Sequence, residues 1–190
     1  MVNIVGIGGT SSHGSSTETA LGIALSSARE AGASVRIFGG EFLLRLPHYG
    51  TPEAAHCLEA QEFLDAIRTA DGLLLASPGY HGSVSGLVKN AIDYLEETAK
   101  DARVYLDGMP VGLIVTAYGW QATGSTLAAL RSIVHALRAW PTPLGAAIKS
   151  YNGLFENGRC ADPASEAQLR LVGNQVVEFA RARSGIPALH

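Results

Sequence analysis

Three stretches of this sequence carry side chains whose types and spacing could do chemistry. The first runs Gly9-Thr10-Ser11-Ser12-His13-Gly14-Ser15-Ser16-Thr17, six hydroxyl side chains punctuated by two glycines. Glycines let the backbone approach an anion closely. Hydroxyls and free N–H groups at a helix start donate hydrogen bonds, and the helix dipole favours negative charge. A phosphate monoester is the natural guest, because neutral donors satisfy its oxygens without a lysine. Thr10, Ser12, Ser15, Ser16 and Thr17 are the candidate contacts. Capping competes for part of this pattern, since Ser15 and Glu18 also match a capping box. Glu18 would repel a phosphate unless its carboxylate points away.

The second stretch, Ser77-Pro78-Gly79-Tyr80-His81-Gly82-Ser83-Val84-Ser85-Gly86, combines a proline and three glycines with two aromatic rings. Its tight backbone can aim N–H and C=O groups at the edge of a flat heterocycle, while Tyr80 and His81 offer aromatic surface and a polar tip. Pro78, Gly79, Tyr80, His81, Gly82 and Ser83 are candidate contacts here. The third stretch, Ala117-Tyr118-Gly119-Trp120-Gln121-Ala122-Thr123-Gly124, offers Ala117, Tyr118, Gly119 and Trp120. Trp120 suits stacking on a ring or packing at a subunit contact.

These stretches follow strands in an alternating pattern. Val2–Gly8, Ser34–Phe38, Gly72–Ala76, Pro110–Ala117 and Leu144–Ile148 read as strands, the first apolar enough to be buried on both faces and Gly72–Ala76 the best central strand. Helices are expected over Glu18–Gly32, Ala54–Thr69, Ser85–Leu95 (capped by Ser85), Leu127–Arg138 and Ser165–Ala182. Such alternation implies right-handed crossovers and a doubly wound α/β fold. Its five-stranded parallel sheet has the expected order 2-1-3-4-5, with helices on both faces. Ligands in that fold bind beyond the carboxyl ends of the strands, at the switch point between strands one and three. All three unusual stretches lie there.

At this point the residues resemble a known family. Ser77-Pro78-x-Tyr80-His81-Gly82-Ser83-x-x-Gly86-x-x-Lys89-Asn90-Ala91-x-Asp93 is similar to the central signature of the NADPH-dependent FMN reductases. These are flavodoxin-like flavoproteins that include flavin, quinone, azo-dye and chromate reductases. The first stretch resembles their phosphate-binding loop: Thr10 takes the first serine's place, Ser15 the second's and Thr17 the asparagine's, while Ser12 falls where the family often has arginine. The resemblance implies one flavodoxin-like domain over 1–190 and bound FMN, with NADPH or NADH as co-substrate. It also implies hydride transfer through the flavin to a small-molecule electron acceptor. The same resemblance implies a homodimer or homotetramer, for which the apolar Phe42, Leu43, Leu44 and Tyr49 could form a contact. A flavodoxin-type electron carrier and an FMN-dependent tailoring oxidoreductase acting on one metabolite are the alternatives within that fold.

Rival readings are weaker. Gly9-x-x-x-x-Gly14-Ser15-Ser16 has the spacing of a triphosphate-binding loop, but Ser15 stands where its lysine belongs. Gly6-x-Gly8 begins a dinucleotide fingerprint whose third glycine is replaced by Ser11, with Glu41 as the ribose-binding acid. That leaves a flavin-free Rossmann oxidoreductase as the runner-up fold. His56 and Cys57 are expected to be adjacent within a helix, where their side chains diverge. Cys57 and Cys160 match no metal-ligand spacing and read as free thiols. A formal net charge of −3 gives no reason to expect nucleic acid or an anionic membrane as partner. No stretch is long and apolar enough to span a membrane, and Met1 opens almost directly into a strand, so a cytoplasmic location is expected.

Overall fold

The structure is a computed structural model that describes residues 1–184. The last six residues of the expected domain 1–190 lie outside the described residues. Five parallel strands form the sheet: β1 (Asn3–Gly8), β2 (Ser34–Phe38), β3 (Gly72–Tyr80), β5 (Pro110–Ala117) and β6 (Trp140–Lys149). Their spatial order is β2-β1-β3-β5-β6, the doubly wound order expected from the sequence. A two-residue strand, β4 (Ser83–Val84), pairs antiparallel with the end of β3 and accounts for the shifted numbering.

Strand alternation divides the interior in two. Leu73 and Leu75 of β3 join Val5, Ile7, Phe38, Phe63, Ile67, Leu113 and Leu130 on one face. Leu74 and Ala76 join Ile4, Leu21, Ala24, Ile114, Ile148, Val172 and Val176 on the other. The first core is covered by α2 (Gly40–Leu43), α3 (Leu58–Arg68), α4 (Gly86–Asp93) and α5 (Trp120–Ala136); the second by α1 (Ser16–Glu30) and α6 (Pro163–Ser184). A small hairpin, β7 (Phe155–Glu156) with β8 (Arg159–Cys160), links β6 to α6.

Several boundaries differ from the sequence reading, each for a local reason. The helix expected over Ala54–Thr69 splits into a 3-10 turn, Ala54–His56, and α3, because Cys57 is extended (φ −76°, ψ 117°) and ends the turn. His56 and Cys57 are therefore not neighbours within one helix. β6 starts four residues before the expected Leu144, running through Pro141 and Pro143. Proline is tolerated there because β6 is an edge strand, and its pairing with β5 shifts register between Val111 and Leu113. Phe42, Leu43 and Leu44, expected as a loop contact, lie in and just after α2. Leu43 is fully buried, the Phe42 ring packs edge-on against Phe38 at 4.6 Å, and Leu44 remains exposed. Tyr49 is half-buried with its hydroxyl donating to Glu97.

The Lys89–Asp93 part of the signature is structural. Lys89 pairs with Asp93 at 2.5 Å one helical turn away. Asn90 accepts from the Tyr49 N–H and donates to the Pro47 carbonyl, clamping that loop onto α4.

The opposite end of the sheet carries another polar clamp. The Arg103 guanidinium donates to the carbonyl oxygens of Ala70 (2.7 Å), Ile67 (2.5 Å) and Arg68 (3.0 Å), satisfying the end of α3. Burial pushes its pKa down, with Asp71 opposing that shift. An ammonium cannot present this fork to three carbonyls. Arg103→Lys is expected to cost about 2 kcal/mol, read as a lower urea midpoint with an unchanged m-value.

Candidate functional site

The carboxyl ends of β1, β3, β5 and β6 leave a cleft of about 260 Å³. Twelve residues line it, none carrying a charged side chain: Thr10, Ser12, Ser15, Ser16 and Thr17; Pro78, Gly79 and Tyr80; Thr116, Ala117 and Tyr118; and Ser150. Ten of these are residues singled out from the sequence. His81, Gly82, Ser83, Gly119 and Trp120, also singled out, do not line it.

The first loop reaches the cleft because α1 begins there. Ser15 is the N-cap, its Oγ accepting from the Glu18 N–H at 3.3 Å. That bond uses an oxygen lone pair and leaves the hydroxyl proton available. The N–H groups of Ser16 and Thr17 begin the helix without intrahelical partners. Thr10 folds the loop back on itself, its Oγ1 accepting from the Ser12 N–H at 3.1 Å.

Glu18 does not face this loop's donors. Its carboxylate accepts from the Gly40 N–H at 3.3 Å, at the start of α2, which settles the direction that the sequence left open. Gly40 must lack a side chain here, since a Cβ would lie 1.8 Å from the Thr10 carbonyl oxygen. Glu18 and Gly40 thus brace the loop from behind and keep negative charge off its front.

Thr116 and Ser150 line the cleft and were missed in the sequence. Thr116, buried near the end of β5, meets the buried Thr17 hydroxyl at 2.7 Å. Ser150 follows β6 and donates to Ser16 Oγ at 3.2 Å. The signal was a polar residue at the carboxyl end of an apolar strand, where this topology places ligands. Thr17→Val alone strands the Thr116 hydroxyl without its partner, an expected loss of about 1–3 kcal/mol. Changing both to valine is expected to recover part of it, and a double-mutant cycle by urea unfolding measures the coupling.

The second loop is a hairpin. His81 (φ 52°) and Gly82 (φ 78°) are the two central residues between Tyr80 and Ser83, both in the left-handed region that such turns require. This turn carries His81, Gly82 and Ser83 out past the cleft and leaves Pro78, Gly79 and Tyr80 on its wall. Ser77 holds the turn's base, accepting from the Ser85 N–H at 3.0 Å, and Ser85 caps α4 as expected.

The third loop is shorter than expected: α5 begins at Trp120, so only Tyr118 and Gly119 separate it from β5. The first turn of α5 lies over Gly79, where an added Cβ would sit 3.1 Å from both the Ala122 carbonyl oxygen and the Ala117 methyl. Tyr80, Tyr118 and Trp120 are 56, 75 and 65% exposed.

The cleft therefore has a hydroxyl-rich part at a helix start and a part with fewer hydroxyls made of Pro78, Gly79, Tyr80, Ala117 and Tyr118. That combination fits a phosphomonoester whose other end is a flat ring, held by neutral donors and left open on its outer side. Elsewhere, Cys57 and Cys160 are free thiols. Burial pushes the Cys160 thiol pKa up, so it stays protonated at neutral pH. Among the described residues, no group of three or more His, Cys, Asp or Glu could hold a metal ion. No described helix is long and apolar enough to cross a membrane.

Comparison with known proteins points the same way. The family profile described as NADPH-dependent FMN reductase matches residues 2–153. An FMN-dependent NADPH-azoreductase of Staphylococcus haemolyticus (strain JCSC1435) is 34% identical over 123 residues, 63% of this chain and 61% of the relative. One from Staphylococcus aureus (strain USA300) is 37% identical over 124 residues, again covering 63% and 61%. The match thus spans about three-fifths of the length of these curated relatives. Among solved structures, FerB, a flavoenzyme NAD(P)H:(acceptor) oxidoreductase from Paracoccus denitrificans, superposes with a TM-score of 0.77 at 19% identity, over 96% of this chain and 98% of that one. The apo form of an NADH:FMN oxidoreductase, EMOB, gives 0.69 at 22% identity, over 98% and 92%. At such identities these structures establish a shared flavodoxin-like fold.

Proposed function

Because the chain belongs to the NADPH-dependent FMN reductase family, we propose that it is an NAD(P)H-dependent FMN reductase that passes electrons to a small acceptor. The observation that carries this reading is the cleft itself. Ser15, Ser16 and Thr17 at the start of α1 line it, the Glu18 carboxylate accepts from the Gly40 N–H, and Pro78, Gly79, Tyr80, Ala117 and Tyr118 line the rest.

In this reading Thr10, Ser12, Ser15, Ser16 and Thr17 hold the FMN phosphate through hydroxyl and backbone donors. Thr116 and Ser150 fix the hydroxyls of Thr17 and Ser16 so that they need not reorder on binding. Pro78, Gly79, Tyr80, Ala117 and Tyr118 border the ring and keep water from one side of it. FMN, when bound, supplies the hydride-accepting and hydride-donating chemistry. The chain supplies binding and orientation, and the uncharged lining adds no fixed charge beside the ring. His81, Gly82, Ser83, Gly119 and Trp120 act from the rim. The assembly proposed is a homodimer or homotetramer, resting on the family resemblance and on the exposed Leu44 and Leu58 side chains.

The test is to purify the chain with FMN supplied, record its visible spectrum and add NADPH anaerobically. Bound flavin absorbance that bleaches supports the reductase. Bound flavin that NADPH leaves unbleached points to an electron carrier. Failure to take up FMN on titration would overturn the assignment of the cleft.

A further inference from the structure

Large aromatic side chains left in water usually mark a surface that something else covers. Among the described residues six aromatics are 45% or more exposed, and four of them, Tyr80, Tyr118, Trp120 and Tyr151, follow the carboxyl ends of β3, β5 and β6 or lie at them. They gather on the edge of the sheet that carries the cleft.

Trp120 is the informative one. It opens α5 on the same stripe as Thr123 and Leu130, which are buried, and Leu127, which is half-buried. The ring is nonetheless 65% exposed. The N-cap before it is Gly119, which has no side chain. Nor does Trp120 line the cleft. Tyr118, two residues earlier, does line it and is 75% exposed. An aromatic side chain that lines the cleft is thus followed, two residues on, by an exposed one at the start of α5.

We infer that Tyr118 and Trp120 form an acceptor platform at the cleft mouth that selects fused two-ring, uncharged acceptors over single-ring ones. The inference rests on the reductase reading above. One aromatic surface covers one ring of a flat acceptor, and a second, adjacent surface rewards a second ring. The lining offers no charge to favour an ionic acceptor over a neutral one. For a quinone the overall balance is NADPH plus a proton plus quinone giving NADP⁺ plus hydroquinone. The nicotinamide C4–H bond breaks, two electrons and that hydrogen leave as hydride, solvent supplies the proton, and both carbonyl oxygens become hydroxyls.

The experiment compares the chain with Trp120→Ala and Trp120→Phe, using 2-methyl-1,4-naphthoquinone and 1,4-benzoquinone as acceptors. FMN affinity and the rate of anaerobic reduction by NADPH are measured separately. Losing one stacking surface should lower kcat/KM for the naphthoquinone by about tenfold in Trp120→Ala. The change for benzoquinone should be no more than about twofold to threefold, with Trp120→Phe recovering most of the loss on the same stacking argument. FMN affinity and the NADPH half-reaction should not move. An equal loss on both quinones, no loss on either, or a fall in FMN affinity or NADPH reduction would overturn the platform. If the unmutated chain binds no FMN, or NADPH does not reduce it, the reductase reading fails and takes this inference with it. Normal reduction with unchanged quinone selectivity sinks the platform alone.

Discussion

Ser16→Asp is expected to weaken FMN binding by more than about a hundredfold while leaving the fold as stable as before, or slightly more so. The two effects have opposite signs because one carboxylate meets two different partners. Ser16 is the first residue of α1, and an acidic side chain there interacts favourably with the helix dipole by about 0.3–1 kcal/mol. It also still accepts the hydrogen bond that Ser150 donates. A phosphate at the same helix start, however, loses a donor and gains a negative neighbour. At about 4 Å and an effective dielectric near 20, two unit charges repel by about 4 kcal/mol, so even a partly screened contact exceeds the ~2.7 kcal/mol that a hundredfold requires. Riboflavin separates the causes. Lacking the phosphate, it should bind Ser16→Asp and the unmutated chain within about threefold of each other, since neither the dipole nor the charge term acts on a neutral ligand. Flavin titration followed by fluorescence, with thermal unfolding of the apo chain, measures both halves. Equal weakening of FMN and riboflavin would mean that the phosphate does not sit at this helix start.

What could be read from the sequence alone follows from which interactions are local. β1, β3 and β5 were legible because strands buried on both faces are continuous apolar runs, and the order of the sheet followed from the alternation with helices. Ser15 and Ser85 were legible as caps because capping is settled within four residues. Thr116 and Ser150 were not, because each meets a hydroxyl of α1, 99 and 134 residues away in the chain. The direction of Glu18 depended on Gly40, on a different element. The start of α5 was missed because Gly119, Gly124 and the β-branched Thr123 argue for a loop, yet packing over Gly79 pays for a helix from Trp120 onward. In the second loop the left-handed His81-Gly82 pair is what moves three candidate residues off the cleft wall. Nothing short of pairing β4 with β3 reveals that turn.

Gly173→Ala is expected to lower the thermal midpoint by about 4–8 °C, although propensity alone says that it should raise it. Gly173 lies inside α6, where replacing glycine by alanine ordinarily gains about 1 kcal/mol. Here a Cβ would stand 2.2 Å from the carbonyl oxygen of Ala24, in the middle of α1. That neighbour is backbone, so no side chain can swing aside; the two helices must separate. Their seam is tied by Ser27, whose hydroxyl lies 2.9 Å from the Arg170 carbonyl oxygen and 2.8 Å from the Asn174 side-chain oxygen. Arg170–Glu30 and Arg181–Ala31 contacts lie farther along it. Overpacking costs up to about 3 kcal/mol, and a rigid backbone obstacle places this site at the high end, so the steric loss outweighs the propensity gain. Gly22, inside α1, provides the opposite case: nothing lies within 4 Å of its added Cβ, and Gly22→Ala should stabilise by about 0.5–1 kcal/mol. The two glycines look alike in sequence, both interrupting amphipathic helices, and only the helix crossing gives them opposite signs. The consequence reaches the cleft, because α1 begins with Ser16 and Thr17. If separation of the helices moves that end, the Thr17–Thr116 pair lengthens and FMN affinity falls in Gly173→Ala but not in Gly22→Ala. Unfolding midpoints for both variants, followed by FMN titration below the lower midpoint, test the packing argument and its reach to the site together. A Gly173→Ala chain as stable as Gly22→Ala would mean that the α1–α6 seam can open without cost.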